Sequence, residues 1–326
     1  MNEQIFSLLY AHRDGFLSGQ KIAGQLGLSR TAVWKGITSL KEAGAVIESQ
    51  PNRGYRLADC SGLFDAAYLK ELLAGTSFAV NPQVFGSLPS TNTYLRDKGY
   101  NEDVPDFTVA VAGAQTGGRG RMGRSFHSPA DGLYFSVLLR PRLPLSQVQM
   151  ITVAAAVALY ETLREDYGLE NAGVKWVNDV YAGRKKLCGI LTEGSIDAET
   201  GTLHFAVMGM GVNLGSTAAF SEELRPIVTS LADEGHPEPD RLLLCSRILR
   251  RFEALYRLLL NGGQKELLLR YKQALFMLGE RVRVLAPAGA YEAQAVDIDP
   301  QGGLIVVDDE GAQHVLKSGE ISLKLL

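Results

Sequence analysis

Three arginines interleaved with glycines lie between two apolar runs near the middle of the chain. Residues 115–128 read QTGGRGRMGRSFHS, and three arginines fall within six positions: Arg119, Arg121 and Arg124. The flanking apolar runs, 107–112 and 133–139, are typical of strands. A guanidinium is a planar fork of donors suited to carboxylate or phosphate oxygens, and glycine lets backbone approach a ligand closely. The stretch, called the arginine loop below, predicts either an anion-binding loop or an ordinary solvated hairpin tip.

The arginine loop does not fit two common nucleotide-binding motifs. No Lys followed by Ser or Thr closes a second glycine at the spacing of a Walker A loop. A dinucleotide fingerprint opens a helix, whereas a strand is predicted after GRGRMG. The usual nucleotide-binding folds are therefore disfavoured.

A second unusual stretch, VKWVNDVYAGRKKLCGILTEG, occupies residues 174–194. Lys175 is flanked by apolar residues in a strand-like run, where a cation costs free energy unless an anion meets it. Asn178 and Asp179 are predicted to form the turn of a hairpin whose second arm is residues 186–193. A surface lysine beside an ordinary turn is the simpler alternative.

The charge of the chain is unevenly distributed. The formal net charge is −3, but residues 1–60 carry seven basic and five acidic side chains, which leaves −5 for the remainder. This contrast favours a mildly basic N-terminal module on a near-neutral body. The protein as a whole is therefore not a general polyanion binder.

Cysteine usage and hydropathy bear on the cellular setting. The three cysteines form no CxxC pair and lie near no His cluster, which disfavours a disulfide framework or a zinc site. The N-terminus is too polar for a signal peptide, and no apolar run approaches membrane-spanning length. We therefore expect a cytoplasmic protein that does not enter a membrane.

The first 60 residues follow the pattern of a winged helix-turn-helix. A helix over residues 2–14 precedes a short helix, a turn at Gly27 and a longer helix that Ser29 can cap. Residues 46–57 then form two short strands around a Pro-Asn-Arg-Gly turn, which is the wing. The second helix of such a module enters the major groove. The predicted DNA-binding residues are Ser29, Arg30, Thr31, Trp34, Lys35, Arg53 and Arg56.

Two alternatives stay open for this module. A charge of +2 is a weak electrostatic footprint, so the module could serve protein interactions without contacting DNA. Trp34 could equally belong to the core.

The remainder of the chain divides into two regions. Up to Gly279, strand-like and helical runs alternate, which predicts an α+β domain with a mixed sheet and helices on one face. The clearest helices are near 90–98, 147–166, 241–261 and 264–275. Beyond Gly279, short β runs between Gly, Asp and Pro turns predict a small barrel of about five strands. With a linker near residues 59–62, the predicted domains are 1–60, 63–278 and 279–326.

Five motifs, taken together, resemble the biotin protein ligases. They occur in the family's order with similar separations: STN (90–92), GRGRMGR (118–124), KWVND (175–179), KLCGILTE (186–193) and GMGVN (209–213). The winged helix and a C-terminal region ending in GEISL, like the SH3-like domain of the family, extend the resemblance over the whole chain. It implies a biotin operon repressor, that is, a bifunctional biotin–[acetyl-CoA-carboxylase] ligase with an N-terminal winged helix-turn-helix.

The resemblance implies an ATP-dependent, adenylate-forming enzyme. Such a ligase joins the biotin carboxylate to the α-phosphate of ATP and then transfers the acyl group to a lysine of a biotin carboxyl carrier protein domain. Its ligands are ATP, Mg²⁺ and biotin, with biotinyl-5'-AMP as intermediate and effector. The loaded protein is expected to form a homodimer and to repress biotin genes at operator DNA. Two alternatives remain: a non-catalytic biotin-sensing transcription factor, and a lipoate ligase or octanoyltransferase of related fold.

The same resemblance assigns roles to individual residues. The expected catalytic residues are Arg119, Arg121 and Lys175. The expected biotin-binding residues are Ser90, Thr91, Asn92, Gln115, Arg119, Gly120, Arg121 and Lys175. The expected ATP-binding residues are Arg121, Arg124, Phe126, Lys175, Asn178 and Asn213. Asp179 is a weak candidate ligand for magnesium, which phosphates and water would mostly hold.

The chemistry favours cations over a nucleophile. Joining a carboxylate to a polyanion gains mainly from fixed positive charge and positioning. Cys188 has no adjoining His and is expected to be a small buried side chain.

Three residues depart from the family pattern. Phe126 stands where a tryptophan is common, Val177 replaces the usual proline of KWPND, and Leu316 replaces a tryptophan of some members. Phe126 can still stack on a base. Gly319 and Glu320 are further expected near the nucleotide.

Overall fold

The computed structural model describes residues 2–101, 103–196, 202–286 and 289–317, together with the backbone of residues 320–323. The N-terminal module has the elements α1 (Asn2–Ala11), α2 (Gly19–Leu26), α3 (Arg30–Glu42), β1 (Val46–Gln50) and β2 (Gly54–Asp59). The Ser29 hydroxyl accepts the N–H of Ala32 at 3.1 Å and so caps α3, as predicted. Gly27 ends α2 with a left-handed φ of 65°. The winged helix-turn-helix prediction is therefore confirmed in its elements.

A helix that the sequence analysis did not predict follows the linker. It is α4 (Ala66–Leu72), which begins where the Asp65 carboxylate accepts the N–H of Ala67 at 2.7 Å. Its Tyr68 is buried against Phe6 of α1. The Tyr68 hydroxyl donates to Asp240 at 2.6 Å, so α4 joins the N-terminal module to the central domain.

The central domain is built on a seven-stranded mixed sheet with the order β3-β4-β5-β9-β8-β7-β6. The strands are β3 (Pro82–Phe85), β4 (Val109–Ala112), β5 (Leu133–Leu139), β6 (Ala172–Lys175), β7 (Asp179–Ala182), β8 (Lys185–Ile196) and β9 (Leu203–Val212). The helices are α5 (Thr91–Gly99), α6 (Gln149–Tyr167), α7 (Arg241–Leu260) and α8 (Gln264–Ala274). Only β3 and β4 pair in parallel; every other neighbouring pair among these strands is antiparallel.

The expectation of helices on one face is wrong. The core that contains α6, α7 and α8 includes Val137 of β5, whereas Leu95 of α5 packs against Leu138 of the same strand. Successive residues of a strand point to opposite faces. The short helix α5 therefore covers the face opposite to the three long helices.

The predicted hairpin around Asn178 is also different. Asp179 does not lie in the turn; it begins β7, which pairs with β6. A second turn with Gly183 at φ 57° then leads into β8. The segment therefore forms three strands, because Gly183 supplies a tight turn that was not recognised in the sequence.

In the described residues the C-terminal region has five strands, the number predicted for the small barrel, and they pair as one antiparallel sheet with the order β13-β12-β11-β10-β14. Its strands are β10 (Arg281–Ala286), β11 (Gly289–Ile298), β12 (Leu304–Asp308), β13 (Gln313–Leu316) and β14 (Glu320–Leu323). The Trp176 indole N–H donates to the carbonyl of Gly302 at 2.8 Å and ties this sheet to the central domain. Gly319 and the side chain of Glu320 lie outside the described residues. Among the helices described, none is long and apolar enough to cross a bilayer.

Candidate active site

An open pocket lies on the α5 face of the central sheet. Most residues predicted for biotin, nucleotide and magnesium line it, although they come from three separate segments: Ser90, Thr91, Asn92, Gln115, Arg119, Gly120, Arg121, Arg124, Phe126, Lys175, Asn178 and Asp179. The strand register explains part of this convergence. One row across five strands contains Tyr134, Gly211, Gly189, Asp179 and Lys175. The adjacent row contains Ser136, Gly209 and Leu191.

Glycines keep the floor of the pocket low. A Cβ on Gly211 would stand 2.5 Å from the Phe126 ring, and a Cβ on Gly209 would stand 1.7 Å from Asn92 Oδ1. Gly189 also lies against the Phe126 ring. These glycines therefore make room for two pocket side chains that lie directly on the sheet.

One end of the pocket, called the biotin end because the resemblance assigns its residues to biotin, is a network of uncharged polar groups. Ser90 caps α5 by accepting the N–H of Thr93 at 3.3 Å, so its hydroxyl has a structural task. Gln115 Oε1 accepts the backbone N–H of Thr91 at 2.8 Å, and its amide N–H donates to Ser128 at 3.1 Å. The Ser136 hydroxyl lies 2.7 Å from that of Thr91. Amide and hydroxyl groups arranged in this way can both donate to and accept from a neutral urea.

The opposite end, called the cationic end, is formed by the arginine loop and by lysines of the sheet. Arg121 donates to Asn178 Oδ1 at 3.2 Å, so a neutral amide holds its guanidinium over the pocket. Arg119 pairs with Glu193 at 3.3 Å. The loop returns on itself through the Gly120 N–H, which donates to the carbonyl of Arg124 at 2.7 Å.

Lys175 and Lys186 stand on either side of Asp179. The ammonium of Lys186 lies 2.7 Å from Asp179 Oδ1, an ion pair without hydrogen-bond geometry. Lys175 lies over the Tyr181 ring, 5.7 Å from its centroid, and no carboxylate of the described residues comes within ion-pair distance of it. Burial lowers the pKa of Lys175, an effect that Asp179 partly offsets. A half-buried cation without its own ion-pair partner favours an anionic ligand.

The donor set for a metal is sparse. In the described part of the chain, no group of three or more His, Cys, Asp or Glu side chains could hold an ion. Asp179 offers one carboxylate, which already pairs with Lys186. These residues fit only a magnesium ion that arrives with phosphates and keeps most of its water.

Asn213 is the one predicted nucleotide residue that does not line the pocket. It is buried, and its amide N–H donates to the carbonyl of Thr229 at 3.0 Å. Its Oδ1 has no hydrogen-bond partner within the described ranges. A buried acceptor without a partner is uncommon in folded proteins and leaves a position for an external donor.

Several residues in the pocket or hydrogen-bonded to its lining escaped the sequence analysis. Ser136 is the one polar side chain in the otherwise apolar strand LYFSVLL, which is the signal that could have found it. Lys186 and Glu193 lie in the KLCGILTE motif, but their charges were not assigned a role. Cys188 is buried, and burial raises the pKa of its thiol, as expected of a packing residue.

The predicted DNA-binding residues differ in position and availability, and three of them line one groove. Arg30 and Thr31 are exposed and line a groove between α3 and the wing. Trp34, also in the groove, is 57% exposed, which excludes the core alternative. Lys35 is exposed on the same helix, whereas the Ser29 hydroxyl is committed to its cap.

The two wing arginines already have partners within the module. Arg53 donates to Gln50 at 3.0 Å. Arg56 forms a two-pronged pair with Glu48, with its shortest contacts at 2.9 Å. Both guanidinium groups lie over the Phe16 ring. Arg56 therefore joins the two strands of the wing through Glu48, and it is called the wing brace below.

Comparisons with known proteins match each part of the chain. Residues 84–213 match the biotin/lipoate A/B protein ligase family, residues 2–56 an HTH domain, and residues 277–324 the biotin protein ligase C-terminal domain. The fold and the pocket thus define a class, biotin and lipoate ligases, here with a helix-turn-helix module attached.

Similar proteins narrow the class. The bifunctional ligase/repressor BirA of Bacillus subtilis is 32% identical over 99% of this chain and 98% of its own. The biotin–[acetyl-CoA-carboxylase] ligase of Mycobacterium tuberculosis is 34% identical over 71% of this chain and 85% of its own. A biotin protein ligase from Aquifex aeolicus in complex with biotin and ATP is similar with a TM-score of 0.64 and 29% identity, over 75% of this chain and 99% of that one. The chain belongs to the family of bifunctional ligase/repressors.

Proposed function

We propose that the protein is an ATP-dependent biotin protein ligase that forms biotinyl-5'-AMP and transfers biotin to a lysine of a carrier domain. One observation carries the proposal: an uncharged hydrogen-bonding end and a cationic end share a single pocket. Biotin has the matching division, with a neutral ureido ring at one end and a carboxylate at the other. We further propose domains at 1–60, 63–278 and 279–326.

The biotin end is suited to hold the ureido ring. Thr91 and Gln115 are the groups proposed to contact it, since both carry donors and acceptors at the pocket wall. Asn92 lies on the floor beside them. The ring is thereby oriented so that the carboxylate points toward the arginine loop.

The cationic end is suited to the first chemical step. The carboxylate oxygen attacks the α-phosphorus, and pyrophosphate leaves with the electron pair of the broken bond. Arg119, Arg121 and Lys175 are proposed to bind the carboxylate and phosphates and to stabilise the charge of the transition state. Lys186, 2.7 Å from Asp179, is a fourth cation at the same place. Magnesium, when bound with ATP, neutralises phosphate charge.

The adenine end rests on aromatic and amide groups. Phe126 lies in the pocket beside Gly189 and Gly211 and offers a ring face for stacking. Arg124 and Asn178 are proposed to contact the nucleotide, and the free Oδ1 of Asn213 is proposed to accept from the adenine amino group. That contact requires local opening, because Asn213 is buried.

The N-terminal module is proposed to bind operator DNA and to repress biotin genes when the protein holds biotinyl-5'-AMP. Arg30, Thr31, Trp34 and Lys35 are the proposed contacts of α3, with Arg53 at the wing. A homodimer would place two such helices on a two-fold operator. The three cysteines are free, which is consistent with a cytoplasmic setting.

The intact mass of a biotin carboxyl carrier domain tests the ligase. It is measured after incubation with the protein, ATP, magnesium and biotin, with Arg121→Ala as the site variant and Arg164→Ala as a matched surface control. We expect the mass of one biotin to be added by wild type and control only when all components are present. Biotin binding without transfer would favour a non-catalytic biotin-sensing transcription factor. Transfer of a lipoyl group in competition with biotin would favour a lipoate ligase or octanoyltransferase.

Sedimentation and operator binding test the repressor. We expect biotin with ATP to shift the protein toward a dimer and to tighten its binding to a biotin operator. If neither property responds to the ligands, the repressor proposal is wrong while the ligase proposal stands.

A further inference from the structure

Glu193 of β8 connects the two ends of the pocket without lining it. Its Oε2 accepts the amide N–H of Asn92 at 3.0 Å, on the floor of the biotin end. Its Oε1 lies 3.3 Å from Arg119 of the arginine loop and 3.8 Å from Arg96 of α5. One carboxylate therefore holds a biotin-end amide with one oxygen and a loop arginine with the other.

The partners of Asn92 determine how its amide is oriented. The NH₂ group faces Glu193 and the carbonyl of Leu191, at 3.0 and 3.2 Å, and neither partner can donate a proton. A flipped amide would place its own oxygen against these two acceptors. The NH₂ group is thus directed to Glu193 and Leu191, and both of its protons are used.

The orientation of the Asn92 amide determines which groups donate and which accept in the neighbouring hydrogen bonds. Asn92 Oδ1 can only accept, so the Ser136 hydroxyl 2.6 Å away donates its proton to it. The Ser136 oxygen is then an acceptor for the Thr91 hydroxyl at 2.7 Å. Thr91 can alternatively donate to Gln115 Oε1 at 3.2 Å. The hydrogen bonds therefore donate from Thr91 to Ser136, from Ser136 to Asn92 and from Asn92 to Glu193, and the Glu193 carboxylate, which can only accept, fixes this direction.

We propose that Glu193 is a positioning residue that sets the donor and acceptor pattern presented to biotin and holds Arg119 over the pocket. This inference rests on the proposed ligase function, and it assigns to Glu193 no contact with the reacting atoms. Because its two oxygens have separate partners, the two tasks are separable by substitution.

Glu193→Ala and Glu193→Gln separate these tasks. Alanine removes the acceptor of Asn92, so we expect the KM for biotin to rise about tenfold, since an unpaired buried N–H is costly. Glutamine keeps a carbonyl that can accept from Asn92, so it is expected to restore the KM to within about threefold of wild type. Glu266→Gln, which breaks an exposed pair with Arg270, is the matched control.

Cleavage by trypsin tests whether Glu193 holds Arg119, and it does not depend on ligase activity. Both variants lose the negative charge at Arg119, so cleavage after Arg119, Arg121 and Arg124 in the ligand-free protein is expected to become several-fold faster, while the Glu266→Gln protein is cut as wild type. Fragment masses identify the sites, and thermal unfolding checks that each variant is folded.

The outcomes separate this inference from the ligase proposal. A KM for biotin and a cleavage rate that stay at wild type in Glu193→Ala would overturn the positioning role. A glutamine variant as impaired as alanine would overturn the Asn92 part, because charge rather than acceptance would then matter. If the wild type transfers no biotin, the ligase proposal fails, whereas calorimetry with biotin alone and trypsin cleavage still decide the role of Glu193.

Discussion

The arginine loop and the wing are both glycine-containing turns that carry arginines, yet Arg121 of the loop and Arg56 of the wing are held differently. In the loop, Arg121 is held by the neutral amide of Asn178 and keeps its net charge available. In the wing, Arg56 is neutralised by both oxygens of Glu48. An arginine with a two-pronged carboxylate partner would have to lose that pair before it could bind a phosphate. The comparison shows that an arginine near glycines marks a candidate anion site. The side chain that pairs with the arginine then decides whether its positive charge is available to an anionic ligand.

The largest effect that tests this contrast is expected from the loop. Arg121→Ala removes a cation positioned where the adenylate forms, so we expect the rate of biotinyl-5'-AMP formation to fall by about 10²–10³-fold. Pyrophosphate release in a single turnover measures this step. Arg164→Ala, whose arginine pairs with Glu170 at the surface, should retain the wild-type rate. A rate within about threefold of wild type for Arg121→Ala would remove the loop from catalysis.

Lys175 offers a test of the cationic end through activity and stability together. Lys175→Met should lower adenylate formation by about 10²-fold. Burial lowers the pKa of Lys175 in the folded protein, so between that value and 10.5 the unfolded chain binds more protons. The wild type should therefore gain stability as pH rises through this window, a gain that the variant lacks.

Denaturant unfolding of both proteins at pH 7 and pH 10 measures the effect of Lys175. We expect the methionine variant to be more stable at pH 7 and its advantage to shrink at pH 10. An advantage that does not change with pH would mean that Lys175 is not desolvated.

A smaller effect is expected on the DNA surface. Arg30→Ala removes an exposed cation from α3, so operator affinity should fall by about tenfold and the salt dependence of binding should weaken by about one counter-ion. Fluorescence anisotropy at several salt concentrations measures both quantities. Unchanged salt dependence would show that Arg30 contacts no phosphate.

The smallest effect on DNA affinity is expected from Arg56, the wing brace. Arg56→Ala should change operator affinity by less than about threefold and leave the salt dependence unaltered, because Glu48 already neutralises this arginine. The same anisotropy titration, run beside Arg30→Ala, provides the comparison. If Arg56→Ala weakens binding as much as Arg30→Ala does, the contrast between loop and wing is broken.

Much of the fold was predictable because it depends on local patterns. Leu133–Leu139 is a strand with the predicted bounds, since it is an uninterrupted buried run. The comparisons confirm the family, the α+β class and the ligase activity. The helix α4 was missed because AAYLKEL is short, and its stability depends on packing of Tyr68 between two domains.

The sequence predicted most residues of the site but not the hydrogen bonds and ion pairs that join them. Among the residues assigned to the biotin and ATP sites, only Asn213 does not line the pocket, and their individual roles stay predictions. Gly319 and the side chain of Glu320, expected near the nucleotide, lie outside the described residues. Glu193 and Ser136 were missed because their partners are distant in sequence. The bonds from Ser136 to Thr91 and from Asn92 to Glu193 span 45 and 101 residues.

The sequence by itself determined most of the elements, the Ser29 cap of α3 and the presence of three arginines in a glycine-containing loop. Capping, turns and apolar periodicity act within a few residues, so they can be read along the chain. Only the tertiary structure decided which cations are neutralised and which polar groups are oriented. The register of β5, β9, β8, β7 and β6 places Lys175 and Asp179 in one row with Tyr134, Gly211 and Gly189, which come from three other strands. Charge pairing and hydrogen-bond direction depend on distances between such segments, and the sequence alone does not contain those distances.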